Sequence, residues 1–312
     1  MSKLLVITGP TATGKTELGV RAALALGGEV VSADSMQIYR GMDIGTAKPT
    51  TDETRRDGIA VPHHMLDVAE PTEPYSVSRY VAEATAVIDD ITARGKLPIV
   101  VGGTGLYIDA LIAGRDFAPA HDGELLRELE ARYDALGGEA LLRELSAFDP
   151  DSAARLHAND KSRVIRAIEI YRLTGETMTR HDARTREAPP RHEAAILALS
   201  YAERARLYER IDARVDAMMA AGLAREVQTL LDGGVPRGGT AMQAIGYKEL
   251  ADAINGETDT DAAVALIKRR SRNYAKRQLT WWRVKPNVTW QLWENTPNFD
   301  VALRVLTEIA PV

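Results

Sequence analysis

Residues 9–16 read GPTATGKT, directly behind the apolar run Leu4–Thr8 and directly ahead of Lys15–Leu26, whose apolar residues recur at helical spacing. No other stretch constrains the fold as strongly. The pattern G-x-x-x-x-G-K-[ST] between a strand and a helix turns backbone N–H groups toward one anion, and the helix N-terminus adds a favourable dipole. The whole loop, Gly9, Pro10, Thr11, Ala12, Thr13, Gly14, Lys15 and Thr16, is therefore a phosphate-binding candidate. Lys15 is placed to reach terminal phosphate oxygens, and the Thr16 hydroxyl is the candidate ligand for magnesium.

The surrounding pattern extends this unit. Val30–Val31 opens a second short strand that ends near Asp34, Val77–Arg94 is amphipathic, and Leu97–Val101 is a third apolar strand closed by Gly102–Gly103. Strand, helix and strand in this alternation imply parallel pairing with helices on both faces. From about Arg115 to His192 only helices and turns are expected. Leu125, Leu129 and Leu136 mark one helix, and Leu141, Leu142 and Leu145 another. Val164, Ile165, Ile168 and Tyr171 mark a third, with Asp160 as its cap and Gly175 as its end. The polar, proline-bearing stretch 179–192 reads as an exposed linker. Ala195–Leu199 and Val288–Leu292 read as later strands. The expected fold is α/β: a P-loop NTPase-like parallel sheet core (1–115 and 193–312) with an inserted small helical domain (116–192) and a helical C-terminal part.

Composition narrows the setting. The chain has 312 residues and no cysteine, so it forms no disulfide and no Cys-ligated metal site. This fits a reducing, cytoplasmic location. No run of 18 apolar residues exists, so no membrane partner is expected. A net charge of −5 argues against nucleic acid on average, yet Lys268–Lys285 holds eight Lys or Arg and no Asp or Glu. Binding depends on such local patches rather than on the mean.

A P-loop ATPase usually places a second carboxylate at the end of a later strand. Here the strand LPIVV ends in GGTGLY, which offers backbone and the Thr104 hydroxyl but no carboxylate. That counts against a motor or switch ATPase. Asp34 sits at the end of the second strand, where open α/β sheets hold ligand-binding groups; its other reading is a turn cap.

The set GPTATGKT, SADSMQIYRGMDIGTAKP, VPHHMLD, VVGGTGLY, AIGYKEL and RNYAKRQLTWWR resembles the bacterial tRNA dimethylallyltransferases, also called isopentenyl-diphosphate:tRNA transferases, nearly end to end and in the family's order. The resemblance implies prenyl transfer from dimethylallyl diphosphate to the exocyclic amine of an adenosine. That adenosine lies 3′ to the anticodon of tRNAs reading codons that begin with U. It implies that the loop holds the diphosphate leaving group with magnesium and that the partners are dimethylallyl diphosphate and the tRNA anticodon stem-loop; a monomer is expected, although nothing in the sequence dictates the oligomeric state. The zinc finger of some eukaryotic relatives is missing, since there is no cysteine.

The resemblance also assigns roles. Asp34 becomes the base that takes a proton from the amine, Thr11 a positioning hydroxyl by the reacting atoms, and Arg214 a diphosphate ligand. Read without it, Thr11 is a small loop residue and Arg214 a solvated helix charge. His63 is the expected ligand contact of the His63–His64 pair, because neighbours in an extended segment face opposite sides; the other reading is a hydrogen-bonded structural histidine. tRNA contacts are implied for Asp34, Ser35, Met36, Gln37, Thr104, Gly246 and Tyr247, for Arg127, Arg163 and Arg166 in the insertion, and for Arg272, Lys276 and Arg277. A helical projection puts Lys268, Arg269, Arg272, Lys276 and Arg283 on one face, read as a phosphate face. Arg270 and Arg277 fall beside Leu266, Tyr274 and Trp281. The bland reading of such a run is a solvated basic helix. The chain departs from the family at HANDKSR (157–163), where many relatives have Pro-Gln-Arg. The competing functions are a small-molecule or nucleotide kinase, an RNA-binding module with a degenerate P-loop, and a prenyltransferase acting on free AMP.

Overall fold

Leu4, Leu5, Val6 and Ile7 are all fully buried, as expected of a strand covered on both faces. They belong to β1 (Ser2–Thr8) at the middle of a six-stranded sheet. A computed structural model describes residues 2–115, 117–119 and 121–311. After β1 the chain forms α1 (Lys15–Leu26), β2 (Gly28–Ser32), the short strands β3 (Arg55–Arg56), β4 (Ile59–Ala60) and β5 (His63–His64), α2 (Val77–Ala93), β6 (Leu97–Val101) and α3 (Gly105–Ala113). The helices α4 (Gly123–Leu136), α5 (Gly138–Ser146), α6 (Pro150–Arg155), α7 (Lys161–Thr174) and α8 (Met178–Glu187) follow. The chain then returns through β7 (His192–Tyr201), α9 (Arg204–Ala220), α10 (Leu223–Asp232), α11 (Tyr247–Ile254), α12 (Thr260–Arg283), β8 (Val288–Trp293) and α13 (Phe299–Ile309).

The sheet order is β5-β2-β6-β1-β7-β8, with every pair parallel. Leu5 stands opposite Ile99 on one side and Ala195 on the other. Apolar residues of β1, β6 and β7 pack with α1, α9 and α13 into one core that includes Leu18, Leu207, Ile211, Leu279 and Leu306. The C-terminal ends of the strands are tied together. Gly102 N–H donates to Ile7 O, Ala33 N–H to Val101 O, and Thr104 N–H to Ala33 O. That edge is where an open α/β sheet binds ligands.

Contacts divide the chain into two compact units, Met1–Ile112 with Arg191–Val312, and Ala113–Pro190. The second unit has its own core of Leu129, Leu141, Leu145, Val164, Ile165 and Ile168. Three local expectations need correction there. Residues 178–187 are a helix rather than a linker: Thr177 caps Arg180 N–H, and Asp149 takes both the N–H and hydroxyl of Thr179. Asp160 stands at the N-cap of α7, but its carboxylate receives Arg163 instead of a backbone N–H. Leu136 points outward at the end of α4. In the sheet, β7 begins at His192, earlier than its apolar run suggests. Among the described residues no helix is long and apolar enough to cross a membrane.

Candidate active site

The loop between β1 and α1 is held by close approach. Gly9 has φ 127°, and a Cβ there would lie 2.2 Å from Leu199 O, so β7 leaves no room for a side chain. Trp293 Nε1 donates to Thr13 O at 3.0 Å, and Thr13 Oγ1 to Pro10 O at 2.8 Å. Lys15 folds back over this cradle and donates to Pro10 O at 2.6 Å. Burial of its ammonium pulls the Lys15 pKa down to about 7, helped by Arg214 and opposed by Asp34. Arg214, on α9, is likewise lowered by burial and partly restored by Asp34 and Glu53. Three residues far apart in sequence thus share one electrostatic site.

Asp34 follows β2 immediately. Its Oδ1 accepts the N–H groups of Met36 at 2.9 Å and Gln37 at 3.4 Å, so the turn-cap reading holds. That does not remove the carboxylate from the site, since it acts on Lys15 and Arg214. The two N–H bonds fix one oxygen and aim the other. Ser35 N–H donates to Thr104 Oγ1 at 3.1 Å, which ties this turn to the loop after β6.

Two residues of α12 complete the site and were missed by sequence reasoning. Gln278 is buried; its Oε1 accepts Thr11 N–H at 3.3 Å and its Nε2 donates to Gly103 O at 2.8 Å, stapling the phosphate loop to the β6 loop. Tyr274 is pushed up to about 12 by burial and then by Asp34, and engages Thr104 and Gln278. Their i, i+4 spacing in RNYAKRQ was visible, but nothing local says that this face meets the phosphate loop.

His63 and His64 face opposite sides. His64 Nε2 meets Glu29 at 2.8 Å, in a cluster with Arg94 and Lys96. His63 lines a cavity with Thr16, Ser32, Gln37 and Pro49. Its Nδ1 lies 2.9 Å from Val61 O, and its buried Nε2 has no partner among the described residues. Burial lowers its pKa, favouring neutral imidazole. Since a carbonyl only accepts, Nδ1 carries the proton and Nε2 keeps an unpaired acceptor lone pair.

A second support holds the segment that follows Asp34. The Glu226 carboxylate on α10 accepts backbone N–H groups from Asp43 (3.0 Å), Ile44 (2.8 Å) and Gly45 (3.2 Å), and the Tyr247 hydroxyl (2.5 Å). Gln37 completes it, donating to Thr46 O and Ala47 O while accepting Ser32 Oγ. Tyr247 and Gly246 are therefore buried supports, and the Gln37 amide is spent on structure. None of the three offers a free side chain to RNA.

The basic surface needs the same revision. α12 has no acidic residue in its second half, but α9 supplies them: Arg272 meets Asp212 at 2.6 Å and Lys268 meets Asp216 at 2.6 Å. Arg270 pairs with the buried Glu249. Arg269, Lys276, Arg277 and Arg283 are exposed, with Arg277 over the Tyr274 ring. In the inserted unit, Arg166 is consumed by buried Glu169 and Pro119 O. Arg163 is exposed beside Asp160, and exposed Arg127 donates to Gly123 O.

Among the described residues no three His, Asp or Glu side chains converge to hold a metal ion. The fit for magnesium is thus limited to one protein hydroxyl, Thr16. Such a site suits an ion that draws most ligands from phosphate oxygens and water.

This architecture, an all-parallel sheet with a P-loop at its strand ends and no carboxylate in the loop after β6, defines a P-loop α/β protein. The family model described as IPP transferase matches residues 37–285, and that described as isopentenyl transferase matches 2–57. A tRNA dimethylallyltransferase from Geobacillus thermodenitrificans is 50% identical over 92% of this chain and 90% of its own. The full-length tRNA isopentenylpyrophosphate transferase of Bacillus halodurans superposes with a TM-score of 0.73 at 43% identity, covering 99% of this chain and 96% of that one. A eukaryotic dimethylallyltransferase acting on tRNA gives 0.83 at 29% identity, covering 98% and 78%. The chain belongs to the IPP transferase family of tRNA dimethylallyltransferases, and it is a prenyltransferase.

Proposed function

We propose that this protein transfers the dimethylallyl group of dimethylallyl diphosphate to the exocyclic amine of the adenosine 3′-adjacent to the anticodon, in tRNAs reading codons that begin with U. The observation that carries the reading is the convergence of Lys15, Arg214 and Asp34 on the phosphate loop, with no carboxylate after β6 to activate water. The C–O bond of the donor breaks with its electron pair going to diphosphate. Nitrogen bonds to the freed carbon, and its proton goes to a base. Lys15, Arg214 and the loop N–H groups meet the charge that develops on the leaving oxygen. Asp34, aimed by the N–H groups of Met36 and Gln37, takes the proton. Thr11, whose N–H is fixed by Gln278, positions the donor or the amine with its hydroxyl. Thr16 would hold magnesium, which would supply neutralisation of part of the leaving group's charge. His63 Nε2 accepts a hydrogen bond from water or ligand in the Thr16 cavity.

tRNA approaches through exposed cations: Lys276 and Arg277 on α12, and Arg127 and Arg163 in the inserted unit, Ala113–Pro190. Ser35, Met36 and Thr104 lie beside Asp34 and contact the reacting nucleotide. The protein works as a cytoplasmic monomer. Incubation with labelled dimethylallyl diphosphate and total tRNA from a strain lacking the modification tests the reading. Label is expected in tRNA. Label transferred from ATP to a small molecule instead, with ADP released in proportion, would make the protein a kinase.

A further inference from the structure

The carbonyl of Thr13, in the middle of the phosphate loop, is held from the far end of the chain. Trp293 Nε1 donates to it at 3.0 Å, in a buried bond. A trans peptide is planar, so its C=O and N–H point in opposite directions. No peptide among the described residues is cis. Fixing Thr13 O on Trp293 therefore turns the N–H of the same peptide, that of Gly14, away from the indole. No backbone carbonyl among the described residues takes that N–H. Gly14 is the second glycine of GPTATGKT, directly before α1, where a phosphate loop offers its N–H groups to an anion.

The donor is carried by the sheet. Trp293 is the last residue of β8 and is fully buried. It stands opposite Tyr201 of β7, and its own carbonyl accepts Ala202 N–H at 2.9 Å. Phe299, at the start of α13, covers Gly14 itself: a Cβ there would lie 2.9 Å from the Phe299 ring. The Trp293 and Phe299 rings meet edge to face, 5.9 Å apart and at 68°. Arg21 of α1 lies over the Phe299 ring, 5.0 Å from its centre, and pairs with Asp300 at 3.1 Å. β8 and α13 thus grip both the loop and the helix that follows it. The grip has something to restrain. Gly9 and Gly14 both have positive φ, and glycine rotates with little steric cost. The Thr13–Gly14 peptide cannot turn over without losing the indole bond and leaving a buried carbonyl unpaired.

We infer that Trp293 is a positioning residue for the diphosphate of the donor: by holding Thr13 O it aims the Gly14 N–H at a phosphate oxygen, and Phe299 keeps that peptide in place. The inference rests on the loop being the diphosphate site. A donor aimed in advance stabilises departing charge without rearranging as the bond breaks. The indole therefore acts on donor affinity and on departure of the leaving group while touching neither, and binding of the acceptor does not depend on it.

Two changes at position 293 of the full-length protein test this. One is 3-benzothienylalanine, in which sulfur replaces the indole N–H at nearly the same shape; the other is Trp293→Phe. Calorimetric titration with inorganic diphosphate and magnesium reads the loop directly, and steady-state assays give KM for each substrate. Both changes should weaken diphosphate binding and raise KM for dimethylallyl diphosphate roughly tenfold, with KM for tRNA within about twofold of wild type, as expected for loss of one buried hydrogen bond at the donor site. Trp290→Phe is the control, since Trp290 packs against the same core from the same strand with no hydrogen bond to the loop among the described residues. It should lower the melting temperature and leave diphosphate binding unchanged. Wild-type diphosphate affinity in the benzothienylalanine protein, or an equal loss of affinity in Trp290→Phe, overturns the inference and leaves Trp293 as packing alone. If the wild-type protein binds no diphosphate, the ligand assigned to the loop is wrong and the inference falls with it.

Discussion

The strand β2 carries a charged cluster at each end, and the two are built on opposite principles. At its start Glu29, 2% exposed, accepts Arg94 through both oxygens, Lys96 and His64. Arg94 foremost, with Lys96 and His64, holds its carboxyl well below the usual range against the opposing effect of burial. Just past the other end lie Asp34, Lys15 and Arg214. No ion pair joins these three among the described residues, and Lys15 spends a hydrogen bond on a backbone carbonyl. Burial lowers the pKa of both cations. The same residue types therefore make a closed scaffold at one end and an electrostatically incomplete site at the other. A buried cation without a carboxylate partner is tolerable when an anionic ligand completes it.

The largest expected effect breaks the incomplete end. Lys15→Ala should reduce prenyl transfer by at least 10²–10³-fold, in the range of removing one preorganised charge-stabilising donor, while tRNA binding in a filter assay stays near wild type. Parallel loss of tRNA binding by a folded variant would mean that the two functions are not separate. Asp34→Asn should cost about 10²–10⁴-fold in turnover with the fold intact. Turnover within a few-fold of wild type would leave Asp34 as a turn cap only.

Breaking the closed end should do the reverse. Glu29→Gln leaves Arg94 and Lys96 facing a neutral amide and should lower stability by about 1–3 kcal/mol, the usual cost of weakening a buried group's charge-assisted hydrogen bonds. kcat at permissive temperature should stay within about twofold. The pH dependence has a definite sign. Glu29 has a depressed folded pKa, so its contribution is complete above the ordinary carboxylate value near 4 and fades as pH falls below it. In denaturant melts the stability gap between the two proteins should be narrower at pH 3 than at pH 7; a constant gap would assign the loss to packing.

A smaller effect compares the two ends directly. Lys15 has a folded pKa of about 7 against about 10.4 when unfolded, so between those values the unfolded chain binds more protons and stability rises with pH. Replacing Lys15 by Met removes this cost. The variant should melt a few degrees above wild type at pH 6, with the gain shrinking toward pH 10. A variant less stable than wild type at pH 6 would show that the lysine aliphatic chain and its bond to Pro10 O outweigh the desolvation of its charge.

Much of the core was legible because its signals are local. The bounds of α1 and β6 follow from GPTATGKT and LPIVV alone, since one apolar run and one glycine punctuation set each. The missed features depend on distant partners. α8 looks like a linker because it is polar all round, yet Asp149, thirty residues earlier, anchors Thr179. The candidate site was legible where a motif carries it: Lys15, Asp34 and Arg214 influence one another electrostatically. It was not legible at Gln278 or Glu226, whose bonds cross sequence separations of 267 and 181–183 residues. Tyr247 illustrates the converse: a motif placed it near RNA, and burial makes it a prop for Glu226.

The smallest effect concerns the basic helix, where the contrast between closed and open charge repeats in miniature. Arg272 is already paired with Asp212, whereas Lys276, one turn on, is exposed with no carboxylate partner among the described residues. A cation that meets phosphate from water releases condensed counterions, and each such contact contributes roughly 0.7–0.9 to the slope of log K against log salt. Lys276→Ala should therefore flatten the slope by about that amount for cognate and non-cognate tRNAs alike. Arg272→Ala should flatten it by less than half as much, because the pair enters the complex nearly neutral. Asp212→Asn frees the guanidinium and should steepen the slope by up to about 0.7–0.9. Titrations at several salt concentrations separate the cases. If Arg272→Ala flattens the slope as much as Lys276→Ala, the Asp212 pair opens on RNA binding and the closed arrangement belongs only to the free protein. A variant that keeps its affinity but loses discrimination among tRNAs would instead make this helix a reader of bases.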